Sequence, residues 1–204
     1  MPNRLTMPIG EAMFSQRAIR RLKPDPISVA DIRTIIEAAQ KAPNGGNRQI
    51  GRWVVMHDPK IIAEFGKLYH EAWWAKRADE GVHSREDFPA GHKTHFSAAK
   101  LADEMKDAPL VILACSQGGH ADNSIFPTVQ NLLLAARALG IGSCLTTLHP
   151  SVEERVYKLL SIPADIRIHC CLPMGYPRGN FGPTSRLPSQ EITHYNGWDQ
   201  SPPW

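Results

Sequence analysis

The sequence predicts one globular domain in which helices and short strands alternate along the chain. Three observations lead there. The length of 204 residues suits a single domain. Apolar residues at helical spacing alternate with short continuous apolar runs of strand type. The 15 glycines and 17 prolines exceed the usual share and bring turns and extended segments. With 42% apolar and 21% charged residues the composition is that of a protein with a sizeable core. It excludes general disorder, a collagen-like period and a disulfide scaffold, since only four cysteines are present.

The elements follow in order. Gly10 to Gln16 reads as a short helix that delivers the basic run Arg17, Arg20, Arg21 and Lys23, after which Pro24 and Pro26 impose extended chain. Ser28 with Asp31 reads as a capping box, and Ile32, Ile35, Ile36 and Ala39 hold helical spacing until Pro43 stops the helix. Asn44-Gly45-Gly46-Asn47 is a loop. Trp53 to Met56 is β-prone, and Asp58-Pro59 opens a second helix with Ile61, Ile62, Phe65, Leu68, Tyr69 and Ala72 near one face and Trp73 and Trp74 at its end.

From Lys76 to Thr94 the chain is polar and rich in His, Gly and charge, which predicts a surface excursion or lid. Leu110 to Cys115 reads as a strand buried on both faces and ended by Gly118-Gly119. Phe126 to Leu139 is apolar nearly all round and predicts a central helix, closed by Gly140. Ser143 to Leu148 predicts a strand, Ser151 with Glu154 a capping box for a helix ending near Ser161, and Ile166 to Met174 a last strand. The 28 residues beyond Tyr176 hold five prolines and three glycines with little apolar periodicity. Such a tail builds no core of its own and must lie across another surface, for which a partner subunit is a candidate.

Several function classes fall away. The 23 basic and 20 acidic residues give a net charge of +3 without a basic stripe, a poor footprint for nucleic acid. The most apolar stretch, Leu132 to Cys144, contains Arg137 and two glycines and falls short of the roughly 18 apolar residues of a membrane span. Met1 to Glu11 lacks the apolar core of a secretory signal, so the expected compartment is the cytoplasm, with Cys115, Cys144, Cys170 and Cys171 as reduced, buried thiols. Cys170 and Cys171 are expected on opposite strand faces. Gly-rich nucleotide-binding signatures, zinc signatures and the serine nucleophile elbow are absent. His83, His92 and His95 lack a Cys or carboxylate at ligand spacing, so a polar lid is preferred to a metal site. An enzyme of this composition would leave the difficult chemistry to a bound cofactor.

Four stretches carry a resemblance. Gln16-Arg17-Ala18-Ile19-Arg20-Arg21-Leu22-Lys23-Pro24, Ala42-Pro43-Asn44-Gly45-Gly46-Asn47-Arg48-Gln49, the helix Asn131 to Ser143, and Met174-Gly175-Tyr176-Pro177 with Ser185-Arg186-Leu187-Pro188 are similar, in order and spacing, to motifs of the FMN-dependent nitroreductase family. The resemblance spans almost the whole chain. It implies an α+β fold with a central, mainly antiparallel sheet flanked by helices, and a homodimer whose C-terminal tails are exchanged and whose FMN sits at the subunit interface.

It also implies roles for residues. Among Arg17, Ala18 and Arg20, one guanidinium would pair the FMN phosphate while Arg20 approaches the ribityl chain or pyrimidine carbonyls, and Arg186 would close over the phosphate. Pro43, Asn44, Gly45 and Asn47 would reach the flavin from the neighbouring subunit. Leu145, Thr146 and Thr147 would lie behind the isoalloxazine, with one backbone N–H of that segment directed at flavin N5. Gln16-Arg17-Ala18 stands where many members have Arg-Arg-Ser, Asn44 replaces a Ser, and Thr184 stands where some relatives carry Lys. The implied activity is ping-pong reduction of nitroaromatics, quinones or related electron-poor acceptors by NADH or NADPH, with no catalytic side chain of the protein's own and no membrane or nucleic-acid partner. Trp73 and Trp74 are candidates for a substrate wall. The alternatives are a reductive dehalogenase-type reaction on the same fold and a non-catalytic flavin-binding protein.

Overall fold

The structure is a computed structural model that describes residues 4–89, 91–118 and 121–204. Its centre is an antiparallel four-stranded sheet of β1 (Gly51–Met56), β2 (Leu110–Gln117), β3 (Gly142–Ser143) and β4 (Ile166–Gly175), in the order β1-β2-β4-β3. Around it pack α1 (Ile9–Ser15), α2 (Val29–Ala39), α3 (Pro59–Asp79), α4 (Lys93–Glu104), α5 (Asp122–Ala138) and α6 (Pro150–Leu160), giving an α+β fold.

Strand periodicity sorts the core into two layers. Val111, Leu113 and Cys115 of β2 face Phe65, Tyr69, Leu101, Met105, Val152 and Val156 of α3, α4, the turn after it and α6. Their neighbours Leu110, Ile112 and Ala114 face Ile32, Ile35, Val129 and Leu132 of α2 and α5. Helices cover both faces, which is why β2 reads as an unbroken apolar run. Cys170 and Cys171 fall into opposite layers, as their adjacency requires.

Local chemistry sets the element ends. Ser28 Oγ accepts the Asp31 N–H at 3.0 Å and donates to the Asp31 carboxylate at 2.6 Å, fixing the start of α2. Asp58 accepts from Lys60 N–H at 2.8 Å, and Pro59 sits at the first position of α3, where its missing N–H costs nothing. Gly66 on α3 lets the turn Met105–Asp107 lie against the helix, because a Cβ there would stand 2.5 Å from Lys106 backbone atoms.

Four expectations are corrected. The segment predicted as an excursion from Lys76 is still helical to Asp79, since Ala75, Lys76, Arg77 and Ala78 are good helix formers and the two cations suit a helix C-terminus. Helix α4 then begins at Lys93, with a 3₁₀ turn at Arg85–Asp87 before it; its buried Ala99, Leu101 and Ala102 present too small an apolar stripe to be read from sequence. The strand predicted over Ser143 to Leu148 is regular only at Gly142–Ser143 and regains one bridge at Thr146. The cap of α6 is His149, whose Nδ1 accepts from Ser151 N–H at 3.2 Å, because Pro150 takes the first helical position and moves Ser151 inside.

Helix α5 begins at Asp122, four residues before the predicted start. Ala121 offers no side-chain cap, and Pro127 removes an N–H from the helix interior. Gly140 follows α5 with φ 73°, the left-handed conformation of a helix end. Gly118 ends β2 with φ 79°, whereas Gly119 lies outside the described residues.

The tail first follows the N-terminal arm. Arg178 N–H donates to Arg21 carbonyl at 3.0 Å and Gly182 N–H to Ser15 carbonyl at 3.3 Å, while the Arg137 guanidinium lies 4.2 Å from the Phe181 ring centre. Farther on, Leu187, Ile192 and Trp198 are exposed, as are Met13 and Phe14 of α1.

Candidate functional site

Three of the four motifs meet at one corner of the sheet. The arm Arg17 to Lys23 runs beside β3: Ala18 and Ser143 form a parallel bridge, Ile19 N–H donates to Ser143 carbonyl at 2.9 Å, and Lys23 N–H donates to Tyr176 carbonyl at 2.7 Å. Ile19 and Leu22 are buried under the arm, which leaves Arg17 exposed and Arg20 half-buried. Gly142 permits this approach, because a Cβ there would stand 2.7 Å from Ile19 Cγ2.

Arg20 reaches inward. Its positive charge favours the ionised forms of the nearby Cys144 thiol and Tyr69 phenol, against their burial. Beyond β3 the chain passes Leu145, Thr146 and Thr147, where Thr146 exchanges two backbone hydrogen bonds with Cys171, at 3.0 and 2.8 Å. Both backbone groups of Thr146 are thereby committed to β4, so strand alternation turns the N–H groups of Leu145 and Thr147 the other way. Thr146 Oγ1 stands 2.8 Å from the Tyr69 hydroxyl. Burial, and then the neighbouring Cys171, push the Tyr69 phenol above its usual range, which keeps it neutral at physiological pH.

Charge at this corner is unbalanced. Among the described residues no carboxylate lies within ion-pair distance of Arg17 or Arg20, or of Arg186 in the tail. Guanidinium groups without a carboxylate partner suit a phosphate, which accepts two hydrogen bonds from one planar fork. Arg186 donates to the adjacent Ser185 carbonyl at 2.8 Å.

The Pro43 to Gln49 loop lies elsewhere. It leads into β1, one edge of the sheet, whereas the arm lies on β3, the other edge; the separation is three strand spacings, or roughly 14 Å. Gly51 is level with Ser116 and Arg167, while Ser143 is level with Met174, about 23 Å farther along β4. The loop and the arm therefore occupy diagonally opposite corners of one chain. Pro43, Gly45 and Asn47 are exposed and Asn44 is half-buried. Asn44 Oδ1 accepts the Gln49 N–H at 3.0 Å, Gly45 N–H donates to Ser124 Oγ at 3.2 Å, and the loop borders a cleft of about 530 Å³ with Arg52, Trp53 and Thr128.

Trp73 and Trp74 sit where α3 supports segment 80–92. Trp73 is buried, edge-on to Trp74 at 4.9 Å and packed on Phe88 at 6.1 Å between ring centres. Its ring is therefore a packing surface, and Trp74 is the more accessible of the two. The His92 and His95 rings stack, and His95 stacks in turn on Phe88. Among the described residues no group of three His, Cys, Asp or Glu is placed to hold a metal. Burial raises all four thiols, Cys115 and Cys170 to about 12, so none is a thiolate at neutral pH.

Sequence reasoning missed Tyr69 and Ser124 as site residues. Tyr69 occupied an apolar position of a helix, and its polar partner is 77 positions away. Ser124 lay before the predicted start of α5, in the run Asp122-Asn123-Ser124, whose residue types favour a helix start.

Comparison with known proteins agrees with this fold. The sequence model of the Nitroreductase family matches residues 14–176. An iodotyrosine deiodinase of Thermotoga neapolitana is 28% identical over 89% of this chain and 94% of its own length. An NADH dehydrogenase of Thermus thermophilus is 29% identical over 92% of this chain and 97% of its own. The crystal structure of an oxidized iodotyrosine deiodinase bound to FMN and 3-iodo-L-tyrosine superposes with a TM-score of 0.76 at 23% identity, covering 94% of this chain and all of the other.

Proposed function

The chain belongs to the nitroreductase family, and we propose that it acts as an FMN-dependent NAD(P)H oxidoreductase on electron-poor acceptors such as nitroaromatics and quinones, as a homodimer whose two flavin sites are each built from both chains. The observation that carries this reading is the Arg17–Arg20 arm, bound along β3 with its guanidinium groups unpaired by carboxylates, beside a neutral Tyr69–Thr146 pair. That donor set fits a flavin nucleotide, which needs cationic donors at its phosphate and neutral donors and acceptors along its ring.

When bound, FMN supplies hydride acceptance from NADH or NADPH and its delivery to the acceptor. Arg17, with Arg186 once the tail closes, holds the phosphate; Ala18 leaves room beside it. Arg20 donates to the ribityl chain or pyrimidine carbonyls and stabilises negative charge on the ring. The amide that donates towards flavin N5 is that of Leu145 or Thr147, since Thr146 N–H is committed to Cys171. Pro43, Asn44, Gly45 and Asn47 come from the second chain, because within one chain they lie at the far corner of the sheet. Exposed Met13, Phe14, Leu187 and Trp198 provide apolar surface for a partner. Trp73 and Trp74 act on the acceptor through the lid they support, residues 80–92 within the variable stretch 76–94, and the whole chain, 1–204, serves as one FMN-binding domain with 177–204 as its extended tail.

The test is an absorption spectrum of the purified protein with FMN, before and after anaerobic NADH or NADPH, followed by addition of a nitroaromatic or quinone. A flavin spectrum that bleaches with the nicotinamide and returns with the acceptor is expected. A protein that neither carries nor takes up FMN would refute the reading. Reductive dehalogenation of a halophenol is the second reading, favoured by the similarity to an iodotyrosine deiodinase; halide release in the same assay separates the two. No helix among the described residues is long and apolar enough to cross a membrane.

A further inference from the structure

A hydrogen-bonded Ser–His–Asp chain lies away from the arm. Ser116 Oγ is 2.7 Å from His169 Nε2, and His169 Nδ1 is 2.7 Å from Asp122 Oδ1. Nδ1–H donating to the carboxylate leaves Nε2 to accept the serine hydroxyl. The geometry is that of a nucleophile and its base, but Ser116 has no exposed surface, so no substrate can reach its oxygen. The chain must act on the protein itself.

What it holds is identifiable. The antiparallel register of β2 and β4 slips between Ala114, opposite Cys170, and Cys115, opposite Ile168, so His169 is the extra residue of a β-bulge. Bulges re-aim side chains, and this one turns the imidazole inward, to 1% exposure, and onto the first turn of α5. The edge of the imidazole meets Phe126 of the same helix, 6.3 Å between ring centres. That opening turn has no side-chain cap of its own, and Asp122 is anchored from the sheet. Two residues on, Ser124 Oγ receives the Gly45 N–H. Gln117, next to Ser116, binds the residue that follows the same loop, its N–H donating to Ile50 carbonyl at 2.9 Å. The loop is thus tied, at Gly45 and just beyond Gln49, to elements that the Ser116–His169 pair joins.

We propose that His169 is a positioning residue for the Pro43–Gln49 loop, acting through Asp122 and Ser124 to hold that loop in the shape it presents to the flavin of the neighbouring subunit. The flavin part rests on the function proposed above; the loop part does not. Gln at position 169 keeps a donor and an acceptor on one side chain, whereas Ala keeps neither.

The experiment is hydrogen–deuterium exchange on the full-length protein without added ligand, together with an FMN titration, for wild type, His169→Ala, His169→Gln and Asp122→Ala. Asp122 is half-exposed, so its truncation tests the relay even where His169→Ala fails to fold. Expected are exchange at least tenfold faster in 43–50 and in 122–126 for both alanine variants, FMN binding at least tenfold weaker, and recovery of both in His169→Gln. Faster exchange confined to β2 and β4, with the loop unchanged, overturns the inference and leaves His169 a core residue. Faster loop exchange with unchanged FMN affinity overturns the flavin part. If wild type takes up no FMN, the proposed function fails, while loop exchange still decides the role of His169.

Discussion

The hydroxyl of Tyr69, carried on α3, stands 2.8 Å from the hydroxyl of Thr146, carried on the segment that follows β3. The contact links the buried apolar layer to the surface proposed above to receive the cofactor. Tyr69→Phe removes the phenol oxygen and leaves Thr146 Oγ1 without that partner. A stability loss of about 1 kcal/mol is expected from urea unfolding, with a change in the bound-flavin spectrum as the Leu145–Thr147 segment loosens. Unchanged urea unfolding would show that the pair contributes nothing to the fold.

Arg20→Ala tests the cationic corner. Hydrogen bonds to charged groups contribute about 1.5–3 kcal/mol, equivalent to roughly a 10- to 100-fold rise in FMN Kd. Arg33→Ala serves as the control, since Arg33 is bonded to Glu37 on the surface of α2, at 2.7 Å. Equal effects of the two variants in a fluorescence titration would mean that general charge, and not Arg20, is responsible.

Gly66→Ala tests packing. Alanine gains about 1 kcal/mol of helix propensity over glycine, but its Cβ would meet Lys106 Cα and N at 2.5 Å, backbone atoms that cannot swing aside. Overpacking of about 1–3 kcal/mol outweighs the gain, so a lower Tm is expected, by roughly 2–4 °C per net kcal/mol lost. A higher Tm in scanning calorimetry would mean that the turn Met105–Asp107 moves freely.

Acid should loosen the lid first. The carboxylate of Asp87 accepts the N–H groups of His83 at 2.9 Å and of Ser84 at 2.8 Å, and these bonds lower its pKa below the usual carboxylate range. For a group whose folded pKa is depressed, the stabilisation is complete above the unfolded value, about 3.9, and is lost as pH falls through the folded value. Exchange of 80–89, corrected for intrinsic rate, should therefore rise below about pH 4 relative to pH 6 while β2 stays protected. Asp87→Asn should show the loose state at both pH values.

Much of this was legible in the sequence because the signals were local. Ser28 with Asp31, Asp58-Pro59 and Gly140 each act within one turn, and their elements start or stop where those residues imply. The arm and the loop were recognisable as motifs for the same reason. What sequence could not carry were contacts decided by partners far along the chain. Helix α4 shows a narrow buried stripe of Ala99, Leu101 and Ala102, too little to mark a helix without the layer it packs on. Tyr69 and Thr146, or Ser116 and His169, find each other only when the sheet forms.

In the proposed dimer, diagonal corners have a genetic consequence. A chain lacking Arg20 still offers an intact Pro43–Gln49 loop, and a chain with a ruined loop still offers its Arg20. Co-expressed, two such inactive variants would form mixed pairs in which one of the two sites receives both sound parts and the other receives neither. Activity recovered from two dead alleles, and lost again when both lesions are placed on a single allele beside either parent, would be the signature of parts shared across chains.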